Sequence, residues 1–183
     1  MKFTPTTLAG AYLVDLDRIE DERGFFARSY CQNELEELGL TSQVVQANIS
    51  FNKYQGTIRG LHYQVDPAPE TKLVRCSRGS IVDVIVDMRP ESATYREHVA
   101  IELTCDNQLA LFIPAHCAHG FQTLQDDTEV TYMVSGFYTP DCERGLRYDD
   151  PALSINWPQP VTCLLYTSPS PRDLSTSRMP SSA

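Results

Sequence analysis

The sequence predicts an all-β sandwich or barrel, and three observations carry that reading. Short segments alternate apolar and polar residues with a period of two, turn residues recur about every eight to twelve positions, and only one stretch has helical character. Nothing alternates strand with helix, which argues against a parallel α/β sheet. No internal repeat of fixed period is present.

Residues 8–20, LAGAYLVDLDRIE, hold an apolar stretch suited to a first or edge strand. Asp21-Glu22-Arg23-Gly24 reads as a turn, and the adjacent aromatics Phe25 and Phe26 start another strand. Residues 33–39, NELEELG, predict a helix of about two turns. Asn33 is its expected cap, acidic residues fill its first turn, Leu35 and Leu38 share a face, and Gly39 ends it. From Val44 the period changes to two: Gln46, Asn48 and Ser50 alternate with Ala47, Ile49 and Phe51. A turn at residues 53–56 leads to a strand over 57–64, which the prolines of DPAP at 66–69 interrupt. The strand resumes over 72–76 and turns at Arg78-Gly79. Residues 81–88 give the clearest strand, with Val82, Val84, Val86 and Met88 on one face and Ile81, Asp83, Ile85 and Asp87 on the other. Val99, Ile101 and Leu103 mark the next alternation, and Leu109, Leu111 and Ile113 the one after it. A loop over 115–119 precedes a short extended piece at 120–124, and a long strand is expected over 129–138.

The chain has 183 residues and 42 % hydrophobic content, which suits one globular domain with a core of its own. No apolar run is long enough to span a membrane. No secretory signal pattern opens the sequence, and the six cysteines lack CxxC pairs, as expected of thiols in the reducing cytoplasm. A net charge of −9 repels nucleic acid and anionic membranes at long range, so neither is an expected partner. An anionic small substrate would need a local cationic pocket. The three lysines, Lys2, Lys53 and Lys72, leave that task mainly to arginine, whose planar fork bonds two oxygens at once. Arg23, Arg59, Arg75 and Arg78 are the candidates.

The stretch NISFNKYQGTIRGLHYQ at 48–64 concentrates the chemistry, with a glycine turn, an arginine and a histidine in one run. Strict alternation places His62 with Ile58, Gly60 and Gln64, and Arg59 on the opposite face. Both could serve one site only if Gly60 bulges or the strand twists there. The ordinary role for such a histidine is a packed, hydrogen-bonded core residue. Tyr132 would by default be a core aromatic, and Lys72 a solvated lysine near Glu70. His116 and His119 form an HxxH pair, which without a flanking carboxylate motif is weak support for a metal.

Five blocks in order resemble the nucleotide-sugar 3,5-epimerase family, of the dTDP-4-dehydrorhamnose 3,5-epimerase type. They are DERGFFARSY at 21–30, VVQANISFNKYQGTIRGLHYQ at 44–64, KLVRCSRGSIVDVIVDMRPES at 72–92, IPAHCAHGFQTL at 113–124 and TYMVSGFYTPDCERGLRYDDPALSINWP at 131–158. The resemblance implies a cupin-like double-stranded β-helix, or jelly roll, with one or a few short helices. It implies a homodimer that exchanges a strand, no metal and no cofactor. The implied reaction inverts the carbons flanking the ketone of a nucleoside-diphosphate 4-keto-6-deoxyhexose, as in rhamnose-type deoxysugar biosynthesis. A proton beside a ketone is weakly acidic, so a positioned base and a stabilised enolate are required. By resemblance His62 is the base, Lys72 sits by the ketone oxygen, and Tyr132 returns a proton from the opposite face. Arg23, Gln46, Asn48, Arg59, His119 and Glu143 carry over as substrate-binding positions. Tyr138, expected on the Tyr132 face of the same strand, adjusts the site.

Two departures stand out. Arg28 replaces a glutamate common in the family, within the substrate-contacting block. The family's histidine is held by an aspartate beyond INWP, in a Ser-x-Lys/Arg-Asp motif, and here only Asp173 in SPSPRD imitates it. The chain is therefore expected to comprise a C-terminally truncated epimerase domain over 1–163 and a tail over 164–183 that resembles translated adapter text. That tail is rich in Ser, Pro and Thr and too poor in apolar residues to order itself. Loss of the aspartate would leave the imidazole less basic and weaken activity. A metal-dependent cupin oxygenase or isomerase and a non-catalytic sugar-binding cupin are the alternatives.

Overall fold

A computed structural model describes residues 1–162. Two antiparallel sheets face each other as a jelly roll. The larger has the order β1 (Lys2–Pro5), β2 (Tyr12–Asp15), β10 (Ala110–Ile113), β7 (Lys72–Arg78), β12 (Thr128–Val134) and β5 (Gln46–Asn52). The smaller runs β13 (Glu143–Gly145), β6 (Ile58–Gln64), β11 (Cys117–Thr123), β8 (Ser80–Asp87) and β9 (His98–Thr104). A separate hairpin, β3 (Ile19–Asp21) with β4 (Gly24–Phe26), closes through the expected turn.

Between the sheets lies a core that includes Val74, Cys76, Ile81, Ile85, Leu111, Ile113, Phe121 and Val130. The outer face of the small sheet is covered by the segment ending at Trp157, through Leu61, Val84, Val86, Ala118 and Leu153. β8 is therefore buried on both faces, which is why its sequence gave the clearest strand pattern.

The one α-helix among the described residues, α1 (Gln32–Glu37), packs Leu35 against Val14, Ala110 and Phe112 on the outer face of the large sheet. Its start differs from expectation: Cys31 is the N-cap, without a side-chain cap bond, and Asn33 lies inside the first turn. Leu38 is 47 % exposed because the helix ends there and turns the side chain away from Leu35. Gly39 stops the helix as expected: its φ is +69°, and Leu40 N–H closes the end onto the Leu35 carbonyl. No helix among the described residues is long and apolar enough to cross a membrane.

β11 starts earlier than the sequence suggested, so His119 is a strand residue rather than part of a loop. Conversely, β12 stops at Val134, and Tyr138 does not share a strand face with Tyr132. On β5 the usual burial pattern is inverted. Gln46, Asn48 and Ser50 are the half-buried set, while Ile49 and Phe51 are 70 % and 49 % exposed.

Candidate active site

Cross-strand register decides which side chains meet. Residues paired across a ladder share a face. On the large sheet Tyr132 pairs with Asn48 on one side and Val74 on the other, and Val134 pairs with Gln46 and Lys72. Val74 belongs to the core between the sheets, so Gln46, Asn48, Lys72 and Tyr132 all face inward near one end of the roll.

On the small sheet β6 carries a bulge. His62 pairs with His119, but Arg59 pairs with Phe121, so three steps along β6 match two along β11. The extra residue moves Arg59 onto the His62 face, because His119 and Phe121 share one face of β11. Strict alternation had separated the two, and the bulge at Gly60 is the physical reason it does not hold. A side chain at Gly60 would lie 2.5 Å from Gly120 Cα and from the His119 carbonyl oxygen, and its φ is +104°. Glycine is required on both counts. Phe121 and Ile85 place this face in the same core, so His62, His119 and Arg59 point toward the large sheet.

Contacts tie these residues together across the gap. Arg59 Nε donates to Asn52 Oδ1 at 2.7 Å, and the Asn52 amide is fixed in turn on the Ser50 and Thr128 carbonyls. Lys72 is no solvated lysine: its side chain is 12 % exposed, it pairs with Glu70 at 3.1 Å, and Nζ lies 3.5 Å from the His62 carbonyl oxygen. The His62 ring packs on the Gly145 backbone, where an added Cβ would stand 3.3 Å from Cδ2. His119 Nε2 lies 2.6 Å from Oδ1 of the fully buried Asp83.

Glu143 and Tyr138 form a neighbouring rim. The Tyr138 hydroxyl donates to Glu143 Oε2 at 2.7 Å, and its backbone N–H reaches Gln46 Oε1 at 3.3 Å. Gln64, 2 % exposed, organises the loop that carries Tyr138 by bonding the Phe137 carbonyl and the Thr139 N–H. Sequence reasoning missed Asn52, Asp83 and Gln64 as organisers. The available signal was a polar residue at an inward position of a strand.

Other candidates are not brought together here. Arg23 sits on the β3–β4 turn, its side chain 85 % exposed and paired with Asp21. Arg75 alternates outward, is half-buried so that loss of solvation lowers its pKa, and donates to the Gln108 carbonyl. Arg78 is exposed at the end of β7. His116 lies near Asp66, at 3.9 Å, whereas His119 is held by Asp83, so the HxxH pair diverges. Among the described residues no group of three or more His, Cys, Asp or Glu converges as metal ligands would. Asp173 and the remainder of the 164–183 tail lie outside the described residues.

The arrangement offers an imidazole and a phenol on facing sheets, an amine on the phenol's sheet that reaches the His62 backbone carbonyl, and nearby amide and guanidinium donors. Comparison with known proteins identifies the family. The family model for dTDP-4-dehydrorhamnose 3,5-epimerase matches residues 5–180. The dTDP-4-dehydrorhamnose 3,5-epimerase of Sinorhizobium fredii is 40 % identical, over 90 % of this chain and 85 % of that protein. The Bacillus anthracis enzyme, solved with TDP and pyrophosphate, superposes with a TM-score of 0.83 at 41 % identity, over 86 % of this chain and 90 % of that one. The Legionella pneumophila dTDP-6-deoxy-D-glucose-3,5-epimerase, solved with dTDP-4-keto-L-rhamnose, gives 0.83 at 34 % identity, over 94 % and 89 %. The chain belongs to the dTDP-4-dehydrorhamnose 3,5-epimerase family, isomerases of cupin-like fold.

Proposed function

We propose that this chain epimerises a nucleoside-diphosphate 4-keto-6-deoxyhexose, inverting C3, C5 or both, in deoxysugar biosynthesis. The observation that carries the reading is the opposition of His62 and Tyr132 on facing sheets, with Lys72 beside His62. His62 takes the proton from the carbon beside the ketone. The electron pair moves onto the ketone oxygen, where the Lys72 ammonium favours the developing negative charge. Tyr132 then gives a proton to the opposite face, the electron pair returns to carbon, and the centre is inverted.

Arg59, held by Asn52, presents a guanidinium to the diphosphate, and Gln46, Asn48, His119 and Glu143 supply polar contacts to the rest of the substrate. Thymidine diphosphate is the nucleotide favoured by the ligands named for the related structures. Tyr138 borders the site on its Glu143 side.

The assembly is a homodimer that works in the cytoplasm. The β3–β4 hairpin stands apart from both main sheets with Ile19 and Phe26 each 71 % exposed, and edge strand β5 displays Ile49 and Phe51. A second copy would cover this apolar surface and receive Arg23 from the hairpin.

The test is solvent exchange. Incubation with dTDP-4-keto-6-deoxyglucose in deuterated water should introduce deuterium at C3 or C5, and His62→Ala should abolish it. Tight binding of the nucleotide sugar without exchange would replace the catalytic reading with a binding one. Exchange that needs stoichiometric iron, manganese or nickel would point to metal chemistry instead.

A further inference from the structure

β8 places two acids on the inward row of a buried strand, and they are treated differently. Asp87 receives hydrogen bonds from Arg89, Ser92 and Thr94, which accounts for it as a loop staple. Asp83 has no such set. It is 0 % exposed, its Oδ1 lies 2.6 Å from His119 Nε2, and its Oδ2 is buried without a hydrogen bond from the described residues. Its one ion-pair partner among the described residues is that imidazole. An aliphatic side chain would fill this position at lower cost than a buried carboxyl, so stability does not explain it. His119 is itself 10 % exposed, flanked by the Phe121 ring, and directly across the ladder from His62.

We propose that Asp83 is a positioning residue that keeps the His119 proton on Nε2 and fixes the ring plane. Nδ1 is then the ring atom that meets the ligand, on the strand next to His62. A histidine whose second nitrogen is held by a carboxylate has a defined tautomer and orientation. Without that contact the ring samples both tautomers and presents donor and acceptor indiscriminately. The identity of the ligand, a nucleotide sugar, rests on the proposed epimerase function; the tautomer does not.

Ring-nitrogen NMR on the 183-residue protein, with His119 assigned by its loss in His119→Asn, tests this directly. Wild-type His119 should show a protonated Nε2. In Asp83→Asn, which keeps the side-chain size, that single state should give way to mixed or exchange-broadened signals. kcat/KM for dTDP-4-keto-6-deoxyglucose should fall roughly 10- to 100-fold, mainly through KM. Asp83→Leu should melt no lower than wild type yet show the same loss of a single tautomer and the same rise in KM. A wild-type Nδ1–H tautomer would overturn the proposal without any variant. Retention of one Nε2–H state and an unchanged KM in both Asp83 variants would overturn it as well. If wild type neither binds nor turns over nucleotide sugars, the epimerase reading fails while the nitrogen shifts still decide the role of Asp83.

Discussion

Replacing Gly60 by alanine should disrupt both the fold and the site, and its size can be worked from the backbone. At φ +104° a Cβ is strained, at roughly 1–2 kcal/mol for left-handed backbone. The same Cβ would overlap Gly120 Cα and the His119 carbonyl oxygen, each at 2.5 Å. These are backbone atoms of the neighbouring strand, so β6 and β11 must separate, and overpacking of that kind adds roughly 1–3 kcal/mol. The sum, about 2–5 kcal/mol, corresponds to a fall in Tm of roughly 10 °C for a chain of this size. Relaxation would flatten the bulge, return Arg59 to the opposite face and break its 2.7 Å bond to Asn52. Arg59 would then be withdrawn from the diphosphate, and losing a charged hydrogen bond to the substrate, worth about 1.5–3 kcal/mol, should raise KM about tenfold or more. Gly120→Ala is the control. Its Cβ meets the same region from the other side, 2.6 Å from the Arg59 carbonyl oxygen. Its φ lies outside the left-handed range, so only the overpacking part applies and Tm should fall about half as far. Thermal melts by circular dichroism and solvent-exchange kinetics measure both effects. A Gly60→Ala protein that melts within about 2 °C of wild type and binds substrate normally would refute the bulge argument.

Lys72→Met should cut deuterium exchange about 10²-fold, as expected for removing one group that stabilises an oxyanion, and an unchanged rate would remove the lysine from the enolate. Burial alone would raise the pKa of Asp87, but hydrogen bonds from Arg89, Ser92 and Thr94 outweigh it and hold the carboxyl well below the usual range. Because the folded-state value is the lower one, this stabilisation is complete above the unfolded carboxylate value near about 3.9 and fades as pH falls through the folded value. Asp87→Asn should therefore lower Tm clearly at neutral pH and much less near about pH 2; an equal drop at both would contradict the linkage. Burial pushes the Cys76 and Cys117 thiols up to about 12, so both should resist alkylation in the native state while the half-exposed Cys31 and Cys105 react; native labelling of Cys117 would show that the core opens readily. Ile49→Arg should shift the proposed dimer toward monomer in sedimentation equilibrium, and an unaltered mass would move the interface elsewhere.

The sequence by itself determined most of the strands, though not β1 or β13, and supplied the candidate residue types of the site. Period-two alternation is a local property, so β5, β8, β9 and β12 could be placed from their own side chains. The motif blocks, through the family resemblance, pointed to His62, Lys72 and Tyr132 as the proposed base, cation and acid. Tertiary structure decided which of them share a space. Alternation says which residues lie on one face but not which face points inward, and on β5 the answer is the reverse of hydrophobic intuition: the polar row faces the opposite sheet and Ile49 and Phe51 face out. The parity that separated Arg59 from His62 failed at one residue, because a bulge depends on Gly60 meeting Gly120 on another strand. The pairing of Asp83 with His119 likewise arises only when β8 lies against β11. Each of these depends on contacts between distant segments, which no window of local sequence contains.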